Sequence, residues 1–280
     1  MSKRNWILLT ILGIIALALV VIYINFAQRR APKIPLVEIG EIQKISTNNT
    51  KDAPRLTTMA SNLEVPWALV FLPDRSILFT ERPGEVRFID NKGNLNPTPI
   101  AFIDDVLNRG EGGLLGITIH PDFSKNHFVY LYYTYASNND LTFNRVVRFK
   151  FENNFLFDKT IIVDRIPGAL FHNGGRIKFG PDGFLYITTG DSQNPSLAQN
   201  KDSLAGKILR VDSAGKAAPN NSFSNEVFSF GHRNPQGIAW DENNRLWETE
   251  HGASTLDEIN IIEKGKNYGW PEIAGNQTKE

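Results

Sequence analysis

Short apolar runs alternate with polar turns along most of the chain, and one pair of runs recurs four times. Each unit joins a short apolar run, a polar turn and a second run that is rich in aromatic or β-branched residues. The first runs are 67–74, 114–122, 176–182 and 236–241, and the second runs are 77–81, 128–132, 184–188 and 245–249. The units recur roughly every 45 to 60 residues, which is the spacing of β-propeller blades. An ordinary β-sandwich gives no reason for this recurrence, so the pattern predicts an all-β propeller with about four blades.

The N-terminus has a different pattern, because a continuous apolar run replaces the alternation. Lys3 and Arg4 precede a run from Trp6 to about Phe26, which is long enough to cross the hydrocarbon core of a bilayer. The run exceeds the usual apolar core of a cleaved signal, and no small-x-small cleavage site follows it. It therefore predicts a transmembrane helix, an uncleaved anchor within residues 1–30. A cleaved signal peptide and a buried core helix are the alternatives.

The segment after this run predicts the domain boundaries. Residues 31–58 are polar and irregular and contain three prolines, which is typical of a linker between a membrane anchor and a folded domain. The propeller is then expected over residues 59–280.

Composition narrows the function classes. The 280 residues include 30 basic and 30 acidic side chains, and this balance argues against a nucleic-acid-binding protein. The chain contains no cysteine, which excludes disulfides, thiolate metal sites and a cysteine nucleophile. The cellular compartment stays open on this evidence, because an exported protein need not contain disulfides.

The candidate chemistry lies in three glycine-bearing turns. His172 stands in the segment Phe171–Arg176, ahead of an alternating strand, where an imidazole at the mouth of a β-structure can act as a general base. The segments 231–237 and 250–252 are similar polar turns, each next to a strand-like run. We expect the three turns to converge on one face and build a site.

Seven motifs in a fixed order resemble those of a known family over residues 61 to 275. They are Val65-Pro66-Trp67, the glycine-rich segment 110–116, His120-Pro121-Asp122-Phe123, His172-Asn173-Gly174-Gly175-Arg176, the segment 231–237, Asp257-Glu258-Ile259-Asn260 and Asn267-Tyr268-Gly269-Trp270-Pro271. In this order they are similar to the pyrroloquinoline quinone (PQQ)-dependent aldose sugar dehydrogenases, relatives of soluble glucose dehydrogenase in the glucose/sorbosone dehydrogenase family. The resemblance implies a six-bladed propeller that holds PQQ and Ca²⁺ in a cleft and passes electrons from a sugar to an external acceptor.

The resemblance also implies roles for residues around the quinone. His172 matches the base that removes the proton from the anomeric hydroxyl of the sugar. Arg233 and Asn234 match residues beside the quinone carbonyls, where a guanidinium can stabilise negative charge. Glu111 matches a cofactor contact that is glutamine in soluble glucose dehydrogenase. The alternatives are a turn histidine, a structural Asn-Pro turn with a surface arginine, and a solvated loop carboxylate.

Two calcium sites are implied in the same way. Gly252 and Ala253 match backbone carbonyls that bind the calcium of the cofactor, and oxygen ligands suit this cation. Glu258 and Tyr268 match ligands of a second, structural calcium, with a salt bridge and a core aromatic residue as the alternatives. The family has proline in place of Ala253, and soluble glucose dehydrogenase has aspartate in place of Phe171, which puts the substrate range in doubt. The other histidines, His120, His127, His232 and His251, are expected to be structural or cleft-lining.

The sequence ends before the segment that carries the family's basic residues for the quinone carboxylates, so a truncated propeller is expected. A catalytic domain outside the cytoplasm, attached to the membrane by the N-terminal helix, is the favoured arrangement. Two other functional classes stay open. One is a calcium-dependent sugar lactonase on a similar propeller, and the other is a non-catalytic extracellular propeller that binds a partner.

Overall fold

A computed structural model describes residues 56–275 of the chain. The anchor predicted within residues 1–30 lies outside this range, and so does nearly all of the predicted linker. Within residues 56–275, each helix is too short or too polar to cross a lipid bilayer.

The described residues form four antiparallel sheets, each built from strands in sequence order. The first sheet contains β1 (Pro66–Phe71), β2 (Ile77–Glu81), β3 (Glu85–Ile89) and β4 (Ala101–Phe102). The second contains β5 (Leu114–Ile119), β6 (Phe128–Ala136), β7 (Thr142–Glu152) and β8 (Phe155–Pro167). The third contains β9 (Ile177–Phe179), β10 (Leu185–Thr189), β11 (Lys207–Val211) and β12 (Val227–Phe230), and the fourth contains β13 (Pro235–Trp240), β14 (Leu246–Glu250) and β15 (Glu258–Ile262).

This all-β, four-blade propeller arrangement confirms the repeat inferred from the sequence. Each predicted pair of runs is the first hairpin of one sheet, for example β9 with β10 and β13 with β14. The outer strands were not predicted. The polar turn expected between the runs 114–122 and 128–132 contains a short helix, α1 (Phe123–Asn126), and a second short helix, α2 (Ser196–Gln199), follows β10.

Aspartates fix the turns of the first hairpins. The Asp74 side chain accepts a hydrogen bond from the Ser76 backbone N–H (3.0 Å), and Asp241 accepts from the Asn243 and Arg245 backbone N–H groups (both 2.9 Å). Such local bonds replace the backbone partners that a turn lacks. Asp182 accepts in the same way from the Phe184 backbone N–H (3.3 Å), so an aspartate after the first apolar run stabilises the turn in the first, third and fourth sheets.

Neighbouring sheets pack face to face, and this explains the nearly continuous hydrophobicity of the inner strands. In β6, Leu131 and Tyr133 belong to the core shared with the first sheet, whereas Tyr130 and Tyr132 belong to the core shared with the third sheet. Alternate residues of a strand point to opposite faces, so a strand between two cores must be apolar on both.

The first and fourth sheets each leave apolar side chains exposed. Leu69 and Phe71 of β1 are 58% and 61% exposed, and Ile259 of β15 is 72% exposed. The first and fourth sheets are the two ends of the series of four sheets. Leu69 and Phe71 are two residues apart on β1 and therefore lie on the same face. The exposed side chains thus mark one uncovered face at each end of the series.

Candidate functional site

His172 lies on the loop between β8 and β9, in a backbone conformation that few residues adopt. Its φ is +60°, and those of Gly174 and Gly175 are +63° and +115°. A non-glycine residue in the left-handed region is strained by roughly 1–3 kcal/mol and persists only where the surroundings hold it.

A chain of buried polar side chains holds this loop against the second sheet. Thr134 of β6 donates to Asn144 Oδ1 (2.7 Å), and Asn144 Nδ2 of β7 donates to Asn173 Oδ1 (3.2 Å). The Asn173 amide also exchanges two hydrogen bonds with the Ala169 backbone (3.1 and 2.9 Å). All three side chains are at most 2% exposed, so the loop has little freedom to move away from the sheet.

The His172 imidazole is oriented by Asp191, which follows β10. His172 Nδ1 lies 2.8 Å from Asp191 Oδ1, and this carboxylate is fully buried. Asp191 also accepts hydrogen bonds from the Gln193 backbone N–H and from the Trp270 indole (both 2.8 Å), which fix its position. With Nδ1–H donated to Asp191, the lone pair of His172 is on Nε2, and that atom is the available proton acceptor.

Glu111, on the loop before β5, contacts the same segment. Its Oε2 accepts the His172 backbone N–H at 2.8 Å, while the side chain stays at the protein surface. The carboxylate thus helps to hold the strained backbone of His172 and still faces the solvent side of the loop.

Arg233 and Asn234 lie on the loop between β12 and β13, and they complete the convergence of loops. Asn234 Oδ1 accepts the Gly174 backbone N–H (3.0 Å), and the Arg233 carbonyl accepts the Asp191 backbone N–H (2.8 Å). The Arg233 guanidinium donates to the His251 carbonyl (3.3 Å) and lies 5.4 Å from the centre of the Trp270 ring. Its Nε is buried without a hydrogen-bond partner among the described residues.

A cleft of about 230 Å³ opens between these loops. Its lining combines aromatic, amide, cationic and acidic side chains, namely Val65, Trp67, Arg82, Glu111, Asn173, Asn234, Gln236 and His251, with Gly174. His172 is not one of the lining residues, but its neighbours Asn173 and Gly174 are, so the cleft borders the loop of the imidazole and offers hydrogen-bonding groups to a polar molecule.

The four residues implied in calcium binding line one small pocket. Gly252, Ala253, Glu258 and Tyr268 share it with Arg233 and Trp270. The Tyr268 hydroxyl donates to the Ile261 carbonyl (2.6 Å) and accepts the Glu263 backbone N–H (2.8 Å). Tyr268 can therefore offer a cation its backbone carbonyl, and Glu258 can offer its carboxylate.

The comparison with protein families gives the decisive observation. The model of the family described as "Glucose / Sorbosone dehydrogenase" matches residues 63–279, which is most of the chain. The chain belongs to this family.

Similar proteins include enzymes named for sugar oxidation. An aldose sugar dehydrogenase of Escherichia coli is 35% identical over 225 residues, which are 76% of this chain and 60% of that protein. Quinoprotein glucose dehydrogenase B of Acinetobacter calcoaceticus is 32% identical over 248 residues, or 77% of this chain and 52% of that protein. The structure of the PQQ-bound aldose sugar dehydrogenase of Streptomyces coelicolor aligns with a TM-score of 0.74 at 42% identity, covering 79% of this chain and 66% of that one.

This glucose/sorbosone dehydrogenase family member thus spans little more than half the length of the curated relatives that it matches. The similarity covers all four sheets and the three loops around His172.

Two residues of the site, Asp191 and Glu250, were not predicted as site residues from the sequence. Asp191 orients His172, and its signal was the Thr189-Gly190-Asp191 step directly after a buried strand. Glu250 accepts the backbone N–H groups of Arg233 and Asn234 and pairs with His232 Nδ1 at 2.9 Å. Its position before His251-Gly252, at the end of a strand, was the only sequence signal.

Proposed function

We propose that this protein is a quinoprotein oxidoreductase that oxidises aldose sugars at the anomeric carbon to lactones, with PQQ and Ca²⁺ as cofactors and an external electron acceptor. The observation that carries the proposal is the His172–Asp191 pair, on a loop whose next residues, Asn173 and Gly174, line a polar cleft, in a chain of the glucose/sorbosone dehydrogenase family. Family membership also favours sugar oxidation over lactone hydrolysis or partner binding without catalysis.

His172 acts as the general base in this proposal. Its Nε2 takes the proton of the anomeric hydroxyl, and Asp191 stabilises the imidazolium that forms. PQQ, when bound, supplies a quinone that accepts hydride from the anomeric carbon. Removal of this hydride and of the hydroxyl proton leaves the carbonyl of the lactone, so atoms and electrons balance.

The residues present fit an anionic, oxygen-rich cofactor. The buried Nε of Arg233 lacks a partner among the described residues, as expected for a donor directed at a bound group. Arg233 and Asn234 would hold the quinone side of the cofactor, and Glu111 would contact it from the opposite loop. The carbonyls of Gly252 and Ala253 would bind its calcium, and Glu258 with the Tyr268 carbonyl would bind a structural calcium.

We also propose that the four blades belong to a six-bladed ring. The exposed apolar side chains of β1 and β15 support this, because further blades would bury them as the inner blades bury theirs. Images of the purified protein that show a closed ring of four blades would contradict the proposal.

Reconstitution tests the activity directly. Adding PQQ in increasing concentration with Ca²⁺ should give aldose-dependent reduction of an artificial dye, and omitting either addition should abolish it. Lactone hydrolysis is measured in parallel with the same preparation. Hydrolysis that needs Ca²⁺ but not PQQ would instead identify a lactonase.

The anchor is a separate prediction, since it rests on residues outside the described range. We propose that residues 6–26 hold the protein in the membrane, with the propeller outside the cytoplasm. Protein made in a bacterial host should stay with membranes through a carbonate wash, and protease added to spheroplasts should digest the propeller. Recovery of a soluble form that begins near Ala31 would indicate a cleaved signal.

A further inference from the structure

One face of the fourth sheet carries an unusual concentration of carboxylates. In the pairing of β14 with β15, Glu250 lies opposite Glu258, and Glu248 lies opposite Asn260. Alternate residues share a face, so these four polar side chains point the same way. Like charges directly opposite each other in a sheet are destabilising, and this arrangement needs a compensating group.

Glu248 is the least satisfied of these groups. It is 1% exposed, its Oε2 accepts a hydrogen bond from Asn260 Nδ2 (3.2 Å), and its Oε1 has no partner among the described residues. Within residues 56–275, no lysine or arginine acts on this carboxylate, whereas Glu250 and Glu258 both repel it. An ionised carboxylate in such surroundings is costly unless a cation neutralises it.

A buried imidazole completes the cluster. His232 is fully buried, and its Nδ1 lies 2.9 Å from Glu250 Oε2. One ligand atom each from His232, Glu248 and Glu250 lies within 4.8 Å of the others. Ligands on a common ion at ~2.2 Å can be at most about 4.4 Å apart, so small side-chain shifts are enough to bring the three atoms to one ion.

The outer contacts of His232 favour such a role. Its Nε2 lies 2.8 Å from Ser229 Oγ, and its ring stacks on Tyr268 with 4.8 Å between ring centres. When Ser229 accepts the Nε2 proton, Nδ1 presents its lone pair to the carboxylates. Metal-binding histidines are commonly oriented in this way by a partner on the other nitrogen.

We propose that His232, Glu248 and Glu250 form a buried binding site for a divalent transition-metal ion of the Mn²⁺ or Zn²⁺ type. The site uses other ligand atoms than the carbonyls of Gly252 and Ala253, although Glu250 also lines the pocket that those residues share, and it does not depend on the proposed sugar oxidation. One nitrogen and two carboxylate oxygens suit a transition metal better than Ca²⁺, which prefers oxygen ligands alone. The ion would provide a partner for the orphaned Glu248 oxygen and offset the repulsion among the carboxylates.

Mn²⁺ binding to the whole purified protein in mild detergent tests the proposal. After stripping with EDTA, the protein is titrated with Mn²⁺ in excess Ca²⁺, and free Mn²⁺ is followed by electron paramagnetic resonance. We expect one Mn²⁺ bound per chain in spite of the Ca²⁺, with a higher melting temperature. Glu248→Gln should weaken this binding at least ten-fold, and Glu242→Gln, at an exposed position near the same sheet, should leave it unchanged.

A spectroscopic measurement on the unmodified protein covers the case in which the variant does not fold. Pulsed measurements on the bound Mn²⁺ should show coupling to a nitrogen nucleus, since His232 is the nitrogen donor of the cluster. Mn²⁺ displaced by Ca²⁺, bound ions without nitrogen coupling, or a folded Glu248→Gln variant that binds Mn²⁺ as the unmodified protein does would each overturn the proposal.

Discussion

Replacing His172 by alanine is expected to lower aldose oxidation by roughly two to four orders of magnitude, the usual contribution of a positioned general base. PQQ binding should stay nearly intact, because the proposed cofactor contacts come from Arg233, Asn234 and the calcium carbonyls. The measurements are dye reduction at saturating PQQ and Ca²⁺, and PQQ affinity by titration, in a preparation whose unmodified form turns over.

Arg233→Ala provides the matched comparison. In the proposed arrangement the guanidinium contacts the cofactor, so its loss should weaken PQQ retention as well as turnover. The two variants thus separate proton removal from cofactor binding. A His172→Ala protein that keeps most of its activity with PQQ bound would show that this histidine is not the base.

Glu248→Gln is expected to make the protein more stable than the unmodified form at neutral and alkaline pH, in buffer with EDTA. Burial and the repulsion of Glu250 raise the pKa of Glu248 from 4.5 to about 9. A raised pKa in the folded state means that the stabilisation is complete below pH 4.5 and is lost as the pH rises towards 9. The loss is about 1.4 kcal/mol per pH unit, so over the three units from pH 4.5 to pH 7.5 the two proteins should come to differ by on the order of 4 kcal/mol.

The measurement is the free energy of unfolding by urea at several values of pH. Glu250, which repels Glu248, contributes to the difference between the proteins, whereas titrating groups that do not interact with Glu248 cancel in it. Lys207 is one of these: burial lowers its pKa to about 7, which by itself makes stability rise with pH between about 7 and 10.5. Glu242→Gln is the exposed control. Parallel pH profiles for the Glu248→Gln and unmodified proteins would show that Glu248 is not buried in a protonated form.

The sequence predicted the first hairpin of every blade because two local signals coincide there. The apolar runs there are short, and an aspartate side chain accepts hydrogen bonds from backbone N–H groups of the same turn, as Asp241 does. The outer strands were not predicted, although Asp90 and Asp212 form the same kind of hydrogen bond in the turns after β3 and β11. The register of β7 against β8 contains three irregularities, so alternation along that hairpin is not regular enough to be read from the chain.

The site was predictable only where a motif marks it. His172, Arg233 and Asn234 stand in glycine-bearing segments, and the structure brings their loops together. Asp191 is 19 residues from His172, and only the fold makes the two neighbours. The cluster around Glu248 also depends on the fold. The pairing of β14 with β15 brings its carboxylates together, and the loop after β12 brings His232 next to Glu250.

The chain of buried amides from Thr134 through Asn144 to Asn173 has an implication for how new specificities arise. It ties the loop of the base to the second sheet, while Asp191 ties the imidazole to the third. In the proposed mechanism, the base is therefore held mainly by two adjacent blades, and Asn234 and Trp270 add contacts from the loops around the fourth sheet. In the proposed function, substitutions on the cleft rim away from these contacts are expected to change which sugar enters or which acceptor docks without altering the base, so substrate range and chemistry would diverge independently during evolution.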